Sequence, residues 1–277
     1  MTTAPTITLR DGRAMPHLGL GTWPLDNTQA REAVAEALAL GYRLIDTAAL
    51  YGNETGVGDA IAASPVPRDE IFITTKLRGA QHGYDETLAG FEESRNRLGV
   101  DYIDLYLIHW PLPARGHYLD TWRAFIELRQ RSLVRSIGVS NFTPAQIDHL
   151  VTETGRWPVV NQIELHPDFS QAKLRAWHTE HRIVTQAWSP LGAGTNILHH
   201  PEILDMAAAH RRSPAQIVLR WHLQLGNVPI PKSADPGRIA QNLDVFTFAL
   251  SDEEMAALSA LDRGNRLGAD PDHHIEL

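Results

Sequence analysis

Eight short runs of β-branched and aliphatic residues recur along the chain with longer helical stretches between them, and this alternation limits the possible folds more than any other feature. The runs are "HLGLGT", "YRLIDTA", "IFITTKL", "YIDLYLIHW", "VRSIGVSN", "VVNQIEL", "RIVTQAW" and "NVPIPK". Several are apolar at nearly every position, as parallel strands covered on both faces should be. Eight such units favour closure into a barrel over an open sheet. A length of 277 residues suits one α/β barrel, so the expectation is a single domain over 1–277, a (β/α)8 TIM barrel.

The first connecting segment shows why the intervening stretches read as helices. In "DNTQAREAVAEALALG", Asp26 or Asn27 can cap, Ala30, Val34 and Leu38 repeat at helical spacing, and Gly41 ends the run. Ahead of the first strand, "ITLRDGRAM" has the Asp-Gly signal of a tight hairpin, expected to plug the bottom of the barrel. The end, "GADPDHHIEL", reads as an irregular C-terminal loop whose histidines are expected in solvent or, less simply, at the pocket mouth.

Composition removes several functions. The net charge of −8, from 33 acidic against 25 basic residues without a long basic block, argues against a nucleic-acid partner. No apolar run approaches the ~20 residues that span a bilayer, and the start "MTTAPTITLRDGR" is not a secretory signal, so a cytoplasmic monomer is expected. There is no cysteine, which excludes disulfides and thiolate chemistry. Histidines number 14, yet no HExxH occurs and no HxH follows the first strand, so no metal site is expected. The sequons at Asn53 and Asn141 are read as coincidence.

In such a barrel chemistry gathers at the C-terminal ends of the strands. There the second strand ends in Asp46, with Tyr51 in the next loop; the third ends in Lys76, and the fourth in His109 and Trp110. An ionised carboxylate on a buried strand costs several kcal/mol unless a cation or donors meet it. Neighbouring strands lie about 4.8 Å apart, so Lys76 can be that cation. The ammonium would lower the pKa of the Tyr51 phenol toward working pH, Asp46 would keep Lys76 charged, and His109 would hydrogen-bond an incoming oxygen. Taken alone, Asp46 and Lys76 could be a purely structural pair. Joined to Tyr51 and His109 they read as a site for adding hydride and a proton to a carbonyl.

The other strand ends suit a hydride donor. Ser140, Asn141 and Gln162 can orient a carboxamide, Trp188 offers a flat face for a nicotinamide ring, and the small residues of "WSPLGAG" let backbone approach a pyrophosphate. Lys232, Ser233 and Arg238 in "PKSADPGRIAQN" lie near a helix start, a natural phosphate site. Trp23 and Trp110 would wall the substrate pocket.

These motifs carry a resemblance. "GYRLIDTAALYGNETGVG" and "IPKSADPGRIAQN" are similar to two signatures of the aldo-keto reductases, and the likeness runs from about Gly19 to Asn242, with Lys76 and His109 where the family's tetrad requires them. Trp188, where many animal members carry tyrosine, places the chain nearer the bacterial branch that contains the 2,5-diketo-D-gluconate reductases. The resemblance implies NADPH as cofactor, bound through Gly21, Thr22, Ser140, Asn141, Gln162, Trp188, Ser189, Leu191, Gly192, Lys232, Ser233, Arg238, Gln241 and Asn242. It implies reduction of aldehydes, ketones or dicarbonyls, keto-sugars among them. Two other classes compete: a non-catalytic barrel module that binds nicotinamide nucleotide, and a metal-assisted hydrolase, which the missing ligand set disfavours.

Overall fold

The structure is a computed structural model that describes residues 4–276. A hairpin of β1 (Thr6–Thr8) and β2 (Ala14–Pro16) precedes eight strands, each inside one of the apolar runs: β3 (Gly19–Gly21), β4 (Leu44–Asp46), β5 (Phe72–Leu77), β6 (Ile103–Ile108), β7 (Val134–Ser140), β8 (Val160–Glu164), β9 (Val184–Trp188) and β10 (Val228–Pro229). These eight pair in chain order, all parallel. The ring closes where Gly21 bridges Lys232 and the Gly21 N–H donates to the Pro231 carbonyl at 3.1 Å. A Cβ on Gly21 would lie 2.8 Å from the Ile230 carbonyl oxygen, so only glycine permits that approach.

Alternation along the strands sorts side chains into two layers. Leu44, Leu105, Leu107, Val160, Val228 and Ile230 fill the barrel, and Leu9 and Met15 of the hairpin pack beneath them as the expected plug. Burying each of those two contributes about 1.5–3 kcal/mol. Ile45, Ile73, Tyr106, Ile108 and Val139 face outward into a second layer with Val34, Phe91, Trp122, Phe125 and Leu150 of the helices.

Two local readings sharpen. Asp26, not Asn27, caps the helix Asn27–Leu40, in a capping box with Gln29, and Gly41 ends it at φ 112°. The hairpin is looser than the Asp-Gly pair implies. The Leu9 N–H donates to the Arg13 carbonyl and the Gly12 N–H to the Leu9 carbonyl, which makes a three-residue loop with Gly12 at φ 85°. Two helices exceed the eightfold pattern: Pro201–His210, ahead of Pro214–Gln224, and Asp252–Ser259 after the last barrel helix. Among the described residues, no helix is long and apolar enough to cross a membrane.

Candidate active site

Asp46 pairs with Thr74 in the register of β4 and β5, so Lys76 stands two residues further along the neighbouring strand and on the same face. From there Lys76 Nζ donates to Asp46 Oδ2 at 2.6 Å, to the Thr47 carbonyl at 2.9 Å and to the Tyr51 hydroxyl at 3.2 Å. All three ammonium donors are used, which is how a lysine with no solvent exposure stays charged. Asp46 Oδ1 accepts from Gln162 Nε2 at 2.7 Å, so both carboxylate oxygens are met. Tyr51 sits in the single turn of helix after β4, and the His109 ring stands edge-on to it with centroids 5.7 Å apart. Asp46, Tyr51, Lys76 and His109 thus converge at adjacent strand ends.

The electrostatics differ from expectation at the phenol. Burial pushes the Tyr51 hydroxyl above its ordinary pKa; Lys76 pulls it down, but Asp46 and, more weakly, Glu276 push it back up, and the net shift is upward. The ammonium alone would lower the phenol's pKa, as expected, but the phenol's own desolvation outweighs it. Lys76 is itself pulled down by burial, yet Asp46 and Tyr51 outweigh that and raise it. Burial and the nearby Lys76 ammonium hold His109 well below the usual imidazole range, so the ring is neutral, and its Nδ1 is buried without a partner among the described residues.

Around this core the candidate cofactor residues divide into two groups. Some are already committed to each other. The Ser140 hydroxyl donates to the Gln162 carbonyl at 2.8 Å, and Asn141 Nδ2 to the His109 carbonyl at 3.1 Å. Trp188 Nε1 donates to Asn141 Oδ1 at 2.8 Å, which fixes the plane of the indole. Gln162 spends its amide group on Asp46 and on Gln186 Oε1, leaving only its carbonyl oxygen to orient a carboxamide. Thr22 is fully buried and turns its hydroxyl to the Asp46 carbonyl, and Gly21 belongs to the barrel closure.

The second group lies in the loops after β9 and β10 and in the helix Pro236–Leu243. Ser189, Leu191 and Gly192 form a turn in which the Gly192 N–H donates to the Ser189 carbonyl. Lys232, Arg238 and Gln241 are exposed, Ser233 and Asn242 buried. Lys232 and Arg238 make no side-chain hydrogen bond or ion pair among the described residues. The helix Pro236–Leu243 is less open to anions than expected, because its cap Asp235 already accepts the Arg238 N–H at 2.8 Å.

Two of the expected pocket aromatics stand beside these groups. Trp23 is 58% exposed with its ring 5.1 Å from Tyr51, and Trp110 lies 4.2 Å from His274. The tail therefore reaches Trp110 through His274, whereas His273 and His199 face solvent. Glu276 anchors it, accepting the Gly79 N–H at 2.8 Å. Further back, Glu164 accepts from the Leu267 and Gly268 N–H groups at 2.6 and 2.7 Å.

Sequence reasoning missed Glu164, Glu276, Gln186 and Asn53. Asn53, fully buried, ties the Thr22 and Leu25 carbonyls to the Thr47 hydroxyl. Polar residues inside apolar runs, such as the glutamine of "RIVTQAW" and the glutamate of "VVNQIEL", were the available signal. The two asparagines of the sequons are buried and hydrogen-bonded, so neither presents an amide for glycosylation. No group of three or more His, Cys, Asp or Glu among the described residues is placed to hold a metal ion.

The family model described as "Aldo/keto reductase family" matches residues 17–263. The chain is 50% identical to the 2,5-diketo-D-gluconic acid reductase B of Corynebacterium sp. (strain SHS752001), over 100% of both chains. It is 50% identical to the methylglyoxal reductase DkgA of Yersinia pestis, over 98% of each. Among solved structures it is similar to a Gox0644 mutant in complex with NADPH, at 47% identity and a TM-score of 0.95, covering 99% of this chain and 100% of that one.

Proposed function

The chain belongs to the aldo/keto reductase family, and on that premise we propose that it reduces small aldehydes, ketones and dicarbonyls to alcohols with NADPH, using Tyr51 as proton donor. The observation that carries this reading is the single ammonium held between two groups: Lys76 Nζ is 2.6 Å from Asp46 and 3.2 Å from the Tyr51 hydroxyl. The strand-end face also fits the cofactor. Trp188 presents an indole fixed in plane by Asn141, and Lys232 and Arg238 are exposed cations without a side-chain partner among the described residues. When bound, the nicotinamide nucleotide supplies the hydride.

The rest is the work of this chain. The neutral His109 imidazole donates a hydrogen bond to the carbonyl oxygen and orients it toward Tyr51. As negative charge develops on that oxygen, the Tyr51 hydroxyl gives up its proton. The Lys76 ammonium is already at hydrogen-bond distance to receive the phenolate that remains. A phenol pKa above its ordinary value keeps the donor protonated at neutral pH. Asp46 acts one step back, since without it the buried Lys76 would lose its charge. Trp23 and Trp110 exclude water from the reacting carbonyl.

The relatives' names supply the first substrates to try: 2,5-diketo-D-gluconate and methylglyoxal, beside a panel of simple aldehydes. The test is steady-state loss of NADPH absorbance with each. Turnover on at least one, lost in Tyr51→Phe, supports the reading. NADPH binding without turnover on any of them would favour a non-catalytic nucleotide-binding module.

A further inference from the structure

At the opposite end of the barrel, under the starts of β7 and β8, lies an open cleft of about 520 Å³. Five arginines line it: Arg10 and Arg13 from the hairpin, Arg129 from the end of the helix Tyr118–Gln130, Arg135 from β7, and Arg156 from the loop before β8. The one carboxylate in its wall is Asp11, which accepts from the Ser136 hydroxyl at 2.8 Å and lies 3.6 Å from Arg129. Two helix C-termini, at Gln130 and Thr154, also end near it, each equivalent to about half a negative charge. Five positive charges against roughly two negative ones leave the cleft about +3, on a chain whose total is −8. The chain's mean field repels anions, so attraction here is local.

The arginines are also held in place. Arg135 lies over the Tyr102 ring at 4.2 Å, and Arg13 Nε donates to the Arg135 carbonyl at 3.2 Å. Arg10 lies 5.1 Å over the Trp157 ring and donates to the His181 carbonyl. A guanidinium has five N–H donors, and each of these contacts uses one or none of them, so most donors of each fork have no acceptor among the described residues. Arg156 makes no side-chain hydrogen bond or ion pair among the described residues. Planar forks held by stacking are suited to phosphate oxygens, and the volume is that of a small-ligand site.

From this we propose that the cleft is a second binding site, for a small anion carrying two or more linked phosphates. The phosphate chain is what the arginines recognise, whether free or part of a nucleotide. The site is independent of the strand-end chemistry, because its residues lie on the other face of the barrel.

Titration calorimetry on the NADP+-saturated protein tests this with inorganic triphosphate, ATP and adenosine. Triphosphate is expected to bind, more weakly as salt rises, and adenosine is not. ATP matching triphosphate identifies the phosphate chain as the whole determinant, and tighter ATP adds a contact to the nucleoside. Arg129→Ala and Arg156→Glu should each weaken triphosphate roughly 10-fold or more, the loss expected for a hydrogen bond between charged groups. Thermal melting of each variant establishes that it is folded. The proposal is overturned if triphosphate fails to bind at millimolar concentration, if both folded variants bind it as the parent does, or if Arg238→Ala removes the binding instead.

Discussion

Asp46 and Glu164 end strands four places apart in the eight-stranded ring, on opposite sides of the barrel mouth, and both are almost completely buried, at 2% and 1% exposure. Each carboxylate needs compensation for lost hydration, and each finds a different kind. Asp46 meets an ammonium and a side-chain amide. Glu164 meets two backbone N–H groups of the tail and the His166 ring. Burial raises the pKa of Asp46 and Lys76 only partly offsets it, so the net shift is upward. At Glu164 burial pushes the same way, but His166 and the two N–H donors outweigh it, and the net shift is downward. Asp46 is thus coupled to an ammonium that also meets a phenol, while Glu164 is coupled to an imidazole and to the backbone of the tail. On the proposed reading, one carboxylate serves the chemistry while the other holds the tail.

The hardest blow to this contrast is Lys76→Met. It leaves Asp46 buried without its cation, which should cost about 3–5 kcal/mol of stability, and it should remove turnover. The pH profile separates charge from packing. The folded-state pKa of Lys76 is raised, so its contribution is fully present below the ordinary lysine value of about 10.4 and is lost as pH rises through the raised one. Denaturant melts of wild type and Lys76→Met should therefore converge at strongly alkaline pH. A constant gap would mean the loss is one of packing.

Next in size is Tyr51→Phe, which keeps the ring beside His109 and removes only the proton. Carbonyl reduction should fall by about 10² or more, with NADPH affinity and thermal stability nearly unchanged. Retained turnover on an unactivated aldehyde would leave the Asp46 side of the barrel no more chemical than the Glu164 side.

The legible parts of this architecture are those set by short-range pattern. Eight apolar runs gave eight strands, and the spacing of neighbouring strands was enough to pair Asp46 with Lys76 across 30 residues of chain. What stayed hidden depends on side chains meeting around the ring. Gln162 reaches Asp46 from 116 residues away, and Glu276 reaches Gly79 from 197. No periodicity encodes such pairings. The sign of the Tyr51 shift was hidden for a related reason: the ammonium beside it is visible in the strand order, but the depth of burial is known only once the tail and Trp23 are in place.

Lys232 and Arg238 extend the comparison to charges with no protein partner. Both are exposed on a molecule of net charge −8, and neither meets a carboxylate among the described residues. If the 2′-phosphate of NADPH is their partner, Arg238→Ala should weaken NADPH by roughly 10- to 100-fold, since a hydrogen bond to a charged group contributes about 1.5–3 kcal/mol. NADH should be affected far less. Equal losses for both cofactors, or none, in a fluorescence titration would assign Arg238 to the solvated surface. The cap at Asp235 favours the lower end of that range, because its carboxylate stands at the same helix start.

The smallest expected effect tests the Glu164 side directly. Glu164→Gln keeps the shape but leaves one oxygen for two backbone donors, so either the Leu267 or the Gly268 N–H loses its acceptor, at a cost of about 1 kcal/mol. Gly268 cannot simply shift inward, because even a Cβ there would lie 2.5 Å from the Trp188 ring. The tail should therefore lift rather than repack. Lifting would carry His274 away from Trp110, raising KM for carbonyl substrates more than it lowers kcat. The pH dependence has the opposite sense to that of Lys76. Glu164 has a lowered folded-state pKa, so its stabilisation is present above the ordinary glutamate value of about 4.3 and is lost as pH falls through the lowered one. Wild type should be more stable than Glu164→Gln at neutral pH, and the two should converge on acidification. Hydrogen exchange at Leu267 and Gly268 reads the same event locally: faster exchange in the variant is expected, and unchanged exchange would mean that Glu164 does not hold the tail.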